Sequence, residues 1–475
     1  MTAETNAPAP SPAATFATII GLLAGYLFLD GETPSLLARS AAWSIGLSLL
    51  VGAMVDYRGN LRNLVRTDIM ALASLYFLTL FEFLLPQPGF DLMIGLEPTA
   101  AALPLCFLAF GGLVIGRHWA PAFSGRMKAT LQHEFPPRLL MSLFWVSIIG
   151  GYFYQFAAVD FDVGLWFDYS MAPRFSQPWG RGRLGDWKAL FGEFGMIINL
   201  APPIAGIIFA RRSDYGRKVL TLVGAGLALT LFTAFVGGTR NVLATYLATF
   251  TVAYAFSLSH ERRRELLIVG CSSAATLLIC TVVMLEFRNI GFQRYLDGYR
   301  AGEIDTGAQT VFVDYNLYVM AELTEVFPER HGYLGLEIPI LAVIRPIPRA
   351  LWPGKPEGMS IGIEEALGAS GLTLASSFIG EAYISGGTFG VLATALVFGL
   401  LFGWWNRLGS ADNSPFGHLV FASGFFAAVI SMRSMLVFTT AILPTIAAIV
   451  LGSWLLRRQP VRRVLQYHDD VETEN

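Results

Sequence analysis

Residues 219–258 read VLTLVGAGLALTLFTAFVGGTRNVLATYLATFTVAYAFSL. Two apolar runs, 219–237 and 241–258, flank the short polar break Gly237-Gly238-Thr239-Arg240. Each has roughly the 20 residues that a helix needs to cross a hydrocarbon core. Neither alternates polar and apolar positions as a barrel strand does, so the pair reads as two membrane helices joined by a tight turn. Working outward, similar runs fall near 13–29, 36–55, 67–86, 99–116, 139–158, 189–210, 266–285, 378–403, 416–437 and 440–456. The expectation is an all-α, polytopic membrane bundle of about twelve spans. Composition agrees: 54% of the chain is hydrophobic and only 14% charged, against the roughly 25% charge of a soluble domain. The first run has no Lys or Arg before it, so it reads as a retained span and not as a cleaved signal.

Basic residues set the orientation, because cytoplasmic loops retain Lys and Arg. With the N-terminus inside, the cytoplasmic loops and tail carry 19 of the 33 basic residues and the outer side carries 12. The outer loops 30–38 and 87–98 have none. Twelve spans with both termini inside satisfy this alternation. The three cysteines, Cys106, Cys271 and Cys280, lie in apolar runs and have neither metal-ligand spacing nor a disulfide framework. The net charge of −2 implies no nucleic-acid partner.

The chain thus divides into a nine-span region at 1–285 with a secondary outer loop at 159–188, a large periplasmic loop at 286–376, and a three-span region with a basic tail at 377–475. Loops this long are usually functional. Within the larger one, Phe312, Tyr315, Val319, Leu323 and Val326 recur at helical spacing, with Asp314, Glu322 and Glu325 among the polar positions. This predicts a helix lying against the outer face of the bundle. The stretch Ile344 to Pro356 follows, with four prolines in eleven residues, Arg345, Arg349 and Lys355 as fixed cations, and the interface-seeking Trp352. Guanidinium groups match phosphate oxygens bidentately, and lysine adds a point charge. Simple anchoring by snorkelling cations is the competing explanation.

Gly380-Glu381-Ala382-Tyr383 then opens the tenth span, with Gly386-Gly387 and Gly390 behind it. The glycines permit close helix packing. The carboxylate at a span's mouth is costly unless paired or used. Arg240, Arg288 and Arg433 are further ionisable residues in or near spans, and Arg240 opens a helix whose end amides could share an anion with it.

The order of these parts resembles the O-antigen polymerase family, the oligosaccharide repeat-unit polymerases of bacterial envelopes. The resemblance rests on Gly237-Gly238-Thr239-Arg240-Asn241 between two spans, on Pro348-Arg349 and Trp352-Pro353 with Lys355-Pro356 in the outer loop, and on Gly380-Glu381, Tyr383, Gly386-Gly387 and Gly390. It covers about 237–390; the N-terminal half matches only as a run of spans. Arg174 and Gly185 also have the Arg-x10-Gly spacing described for such polymerases, and no second copy starts at Arg345 or Arg349.

The resemblance implies an inner-membrane enzyme that joins polyprenyl-diphosphate-linked oligosaccharides at the outer leaflet without a cofactor or metal. Its partners would be those lipid-linked sugars, the lipid bilayer, a chain-length regulator and a flippase. Arg174, Arg240, Arg288, Arg345, Arg349, Lys355 and Arg433 are the candidates to hold the diphosphate. Glu381 is the first candidate base, with Asp314, Glu322 and His331 behind it. An acidic trio, Asp160, Asp162 and Asp168, is a weak metal signal. The competing functions are a transporter or flippase, which should show internal repeats and groups at mid-bilayer, and a related ligase.

Overall fold

The computed structural model describes residues 9–121, 131–132, 134–174, 176–179, 195–258, 262–301, 316–347, 351–352, 354–356, 358–368, 374–409 and 413–457. Among them every regular element is helical. The longer helices are α1 (Pro12–Leu27), α2 (Pro34–Tyr57), α3 (Thr67–Thr79), α4 (Leu96–Gly116), α5 (Pro137–Ala158), α6 (Val163–Ser170), α7 (Ala201–Ala210) and α8 (Arg217–Val236). They continue with α9 (Arg240–Ser257), α10 (Arg263–Phe287), α11 (Phe292–Ala301), α12 (Asn316–Val326), α13 (Glu337–Ile344), α14 (Ser377–Asn406), α15 (Pro415–Ser431) and α16 (Leu443–Arg457).

Each of the apolar runs carries helix. Among the described residues seven stretches are long and apolar enough to cross a bilayer: Pro34–Tyr57, Leu96–Gly116, Pro137–Ala158, Arg217–Val236, Arg264–Met284, Ser377–Asn406 and Met435–Leu455. Pro12–Leu27, Thr67–Thr79, Gly195–Ala210 and Pro415–Ser431 are shorter apolar helices. Exposed Leu267, Ile268, Leu278, Ile279 and Val282 on α10 suit a lipid solvent. Three helices start on one local rule. Ser11, Thr33 and Ser414 each accept a backbone N–H from the first turn, and a proline follows at a position whose own N–H a helix does not need.

Small residues set the tightest crossing. Gly112 and Gly116 of α4 lie against Ala395 and Leu396, while Gly399 and Gly403 of α14 lie against the carbonyls of Leu113 and Arg117. The two backbones touch with no room for a Cβ at most of these positions, which is how helices gain packing where lipid removes the hydrophobic drive.

Contacts between elements sort the helix ends into two groups. The Ser257 hydroxyl and His418 Nδ1 stand 3.0 Å apart, so α9 and α15 run antiparallel. The N-terminus of α9, with Arg240, therefore shares one end of the bundle with the C-terminus of α15. Phe378 N donates to Met432 O at 3.2 Å, which brings the start of α14 to that same end. At the opposite end Thr67 N donates to Asn406 Oδ1 at 2.8 Å, and Arg262 Nη1 to Ala210 O at 3.1 Å.

The helix in the long segment 286–376 differs from its expectation. α12 does not lie against the bundle but is embedded in it, packed on α4 and α14, with Glu325 its only exposed residue. Asn316 Nδ2 reaches into α3 and donates to Leu78 O at 2.9 Å. Its apolar residues are not confined to one stripe: Leu317, Met320 and Ala321 are buried as fully as Val319, Leu323 and Val326. A helix apolar on most sides belongs inside. Phe312, Asp314 and Tyr315 lie outside the described residues.

Candidate functional site

Glu381 lies one turn into α14 and is only 6% exposed. Its carboxylate accepts the Met435 N–H at 2.6 Å and the Ser434 hydroxyl. Arg345, at the C-cap of α13, acts on it electrostatically. The carboxylate thus fixes the reversal that follows α15. Arg433 is carried on that reversal, held between Met432 and Ser434.

The helix changes course just beyond. Gly386 and Gly387 leave helical geometry, and Gly387 has φ 60 and ψ −150, a region open essentially to glycine alone. The kink frees the carbonyls of Ile384 and Ser385 from their helical donors. The loop supplies replacements: Leu334 N donates to Ile384 O at 2.8 Å and Gly335 N to Ser385 O at 2.9 Å. Tyr333 packs onto Gly387, and Tyr383 donates to Phe327 O at 3.0 Å. The Gly-Glu-x-Tyr stretch is therefore where the segment 327–335 is bolted to the bundle.

The proline-rich turn is held from within. Lys355 Nζ donates to the carbonyls of Arg345 and Ile347 at 2.8 and 2.9 Å. Arg345 itself is exposed. Arg349 lies outside the described residues. Glu322 is half-buried on α12, and burial, reinforced by the neighbouring Glu325, pushes its carboxyl above the usual range. His331 is half-buried with its ring 5.8 Å from that of Phe327.

A second group of cations assembles around the quoted turn. Gly238 has φ +65, and a Cβ there would stand 3.1 Å from Arg288 Cβ and 3.7 Å from Arg174 Cβ. Arg174 N donates to Arg288 O at 2.9 Å, and Phe292 N to Met171 O at 2.8 Å. The segment 171–174 thus runs beside the end of α10, and two arginines over a hundred residues apart flank one glycine. Arg240 follows two residues later at the start of α9. All three are half-buried.

Beside this group lies a cavity of about 200 Å³, lined by Gln155, Gln177, Trp179, Thr233, Thr239 and Tyr246 among others. Ile198 lines it, and the neighbouring Met196 packs on the apolar cluster of Phe426, Ala427 and Ala441. One 3-10 stretch, Gly195–Leu200, therefore adjoins both the cavity and α15, the helix that leads into Arg433. The candidates fall into two groups at one end of the bundle: Glu381, Arg345, Arg433 and Lys355 in one, and Arg174, Arg240 and Arg288 in the other.

The acidic trio has a local job in part: Asp162 caps α6, accepting Leu165 N at 3.0 Å. Among the described residues no three His, Cys, Asp or Glu side chains are grouped to hold a metal ion.

The largest feature that sequence reasoning missed lies at the opposite end. Arg66 is fully buried and pairs with Asp56 at 2.6 Å and Asp68 at 2.9 Å. Arg117 pairs with Asp68 at 2.9 Å and donates to Thr15 Oγ1 at 2.6 Å. Asn406 donates to Asp68, and Ser11 N to Asp56 at 2.8 Å. Arg66 and Arg117 read in the sequence only as orientation signals. Two arginines and two aspartates instead form a neutral buried cluster that joins α1, α2, α3, α4 and α14. The one hint was Asp56 and Asp68 close to Arg66 at helix ends; the partner Arg117 comes only with the fold.

No protein-family model, no curated protein and no solved structure matches this chain.

Proposed function

We propose that the chain is a membrane glycosyltransferase of the O-antigen polymerase kind. It has twelve spans, with both termini in the cytoplasm and residues 286–376 outside the bacterial inner membrane. It acts on polyprenyl-diphosphate-linked oligosaccharide repeat units at the outer leaflet. The observation that carries this reading is the meeting of Arg174 and Arg288 at Gly238, beside the N-terminus of α9. Two guanidinium-bearing residues near helix-end amides suit an anionic head group. The same end of the bundle holds Glu381, Arg345 and Arg433.

The chemistry needs little more. An acceptor sugar hydroxyl attacks the anomeric carbon of the donor glycan. The bond from that carbon to the phosphate oxygen breaks, and the diphosphate leaves on its lipid with the electron pair. The cations stabilise charge gathering on the leaving oxygen. The hydroxyl proton passes to a carboxylate or histidine, with Glu381 as first choice and Asp314, Glu322 and His331 behind it.

The buried Asp56–Arg66–Asp68–Arg117 cluster does not favour a transporter. Its charges balance, both carboxylates are hydrogen-bonded, and it lies at the far end from the other candidates.

Deleting the gene in its host tests the reading. Lipid-linked single repeat units should accumulate where a membrane-impermeant oxidant can reach them from outside. Units protected from that oxidant would indicate a flippase instead. Long chains retained on the polyprenyl diphosphate would indicate a ligase.

A further inference from the structure

The cavity beside Gly238 has a lining that the transfer chemistry leaves unused. Tyr246 is 6% exposed and borders it, yet its hydroxyl makes no hydrogen bond among the described residues. Gln155 uses its amide oxygen on Trp166 Nε1 at 2.9 Å, and its NH2 group meets no protein acceptor among those residues. Among those residues Gln177 makes two contacts at 3.5 Å, to the carbonyls of Ala172 and Pro173. Trp179 contributes an aromatic ring. Among the described residues the lining contains no charged side chain.

A hydroxyl and two amides with hydrogen-bonding capacity left over among the described residues suit a polar occupant of the space. The cavity, at about 200 Å³, far exceeds the ~10–15 Å³ that one water needs. The described lining offers neutral donors and acceptors, which suit a neutral occupant. A neutral ligand with several hydroxyls and an apolar ring face suits amides, a phenol and an indole together.

We infer that this cavity is a carbohydrate subsite, taking the sugar residue that is joined directly to the lipid diphosphate, with Tyr246, Gln177 and Trp179 determining which sugar fits. Gly237 and Thr239 line the cavity, while Gly238 between them rests on Arg174 and Arg288. The sugar attached to a diphosphate held by those arginines would therefore enter here. This inference rests on the glycosyltransferase reading and adds the site of sugar selection to it.

The test uses the full-length protein in detergent, with affinity read from protection against thermal unfolding. The probes are undecaprenyl diphosphate, the same lipid carrying one glucose, galactose, N-acetylglucosamine or N-acetylgalactosamine, and the methyl glycosides of those sugars. At least one sugar-bearing lipid should bind about tenfold more tightly than the bare lipid. Tyr246→Phe should lower that gain by about threefold to tenfold, the value of one hydrogen bond, and leave affinity for the bare lipid unchanged. Its unliganded stability should also stay unchanged, because the hydroxyl lost has no protein partner. Gln177→Leu should act in the same way.

No gain from any sugar, or a gain that survives both substitutions, would overturn the subsite while binding of the bare lipid left the transferase reading standing. Failure of every lipid to bind would overturn both. Methyl glycosides that protect as well as the sugar-bearing lipids would detach the cavity from the arginine pair and overturn its place next to the diphosphate.

Discussion

At Glu381 two explanations of one carboxylate can be separated. The group accepts from Met435 N and the Ser434 hydroxyl, and that arrangement alone would justify it as a clamp on the segment carrying Arg433. Glutamine keeps an acceptor for the N–H and can give or take a hydrogen bond with serine, so Glu381→Gln should leave the protein in the membrane at near-normal abundance. A general base would lose roughly 10²–10⁴ in rate on that change, and short or absent polymer on a gel would report it. Normal polymer from abundant protein would remove Glu381 as the base. The arginines allow a similar separation. Arg288→Lys keeps charge but not the planar fork that matches phosphate, so polymer should fall while abundance holds. An arginine that merely snorkels would tolerate lysine. These residue types were legible in the sequence as costly charges near spans. Their grouping was not, because Arg174 and Arg288 meet only when the segment 171–174 runs beside the end of α10. Ser434 and Tyr246 had no signal, since a serine or tyrosine in an apolar run is ordinary until its partners are seen.

The helices themselves were the most legible layer. Hydropathy located all twelve apolar runs, and proline after Ser11, Thr33 and Ser414 marks three of the starts. Two elements were not so readable. The helix at 316–326 is too short for a span, and a helical pattern of that length cannot say whether it lies on the bundle or inside it. The Gly386-Gly387 pair read as packing space, yet the two glycines have different roles. Gly387 takes a glycine-only conformation, and a Cβ on it would stand 2.8 Å from the Tyr333 hydroxyl. Gly386 has extended backbone with nothing within 4 Å of a Cβ. Gly387→Ala should therefore destabilise the purified protein by about 1–3 kcal/mol, seen as a lower melting temperature in detergent. Gly386→Ala should melt close to wild type. Equal effects would show that the kink does not hold the outer segment as described.

At the scale of the whole molecule, the two ends are built on different principles. One end keeps half-buried cations around a cavity, and the other pairs its buried Asp56, Arg66, Asp68 and Arg117 with one another. Breaking a buried pair by removing one partner costs about 3–5 kcal/mol, because the remaining charge has lost its compensation. Asp68→Asn would leave Arg66 and Arg117 sharing Asp56 alone, so accumulation in the membrane should drop sharply even though no candidate site residue has changed. Unchanged abundance would mean that the cluster is not what joins α1 to α4 and α14. The alternation of basic loops assigns this neutralised end to the cytoplasm and the cation-bearing end to the outside, and the assignment can be tested directly. A reporter fused after Arg264 should behave as cytoplasmic. One fused after Gly332, in the segment bolted to α14, should behave as external. The pair matters more than either fusion, because the contacts through His418 and Met432 tie the two ends of the bundle together in one arrangement. A cytoplasmic Gly332 reporter would turn the whole molecule over. The arginines and the cavity would then face the cytoplasm, where no lipid-linked chain is being extended, and the polymerase reading would fail with the twelve-span arrangement.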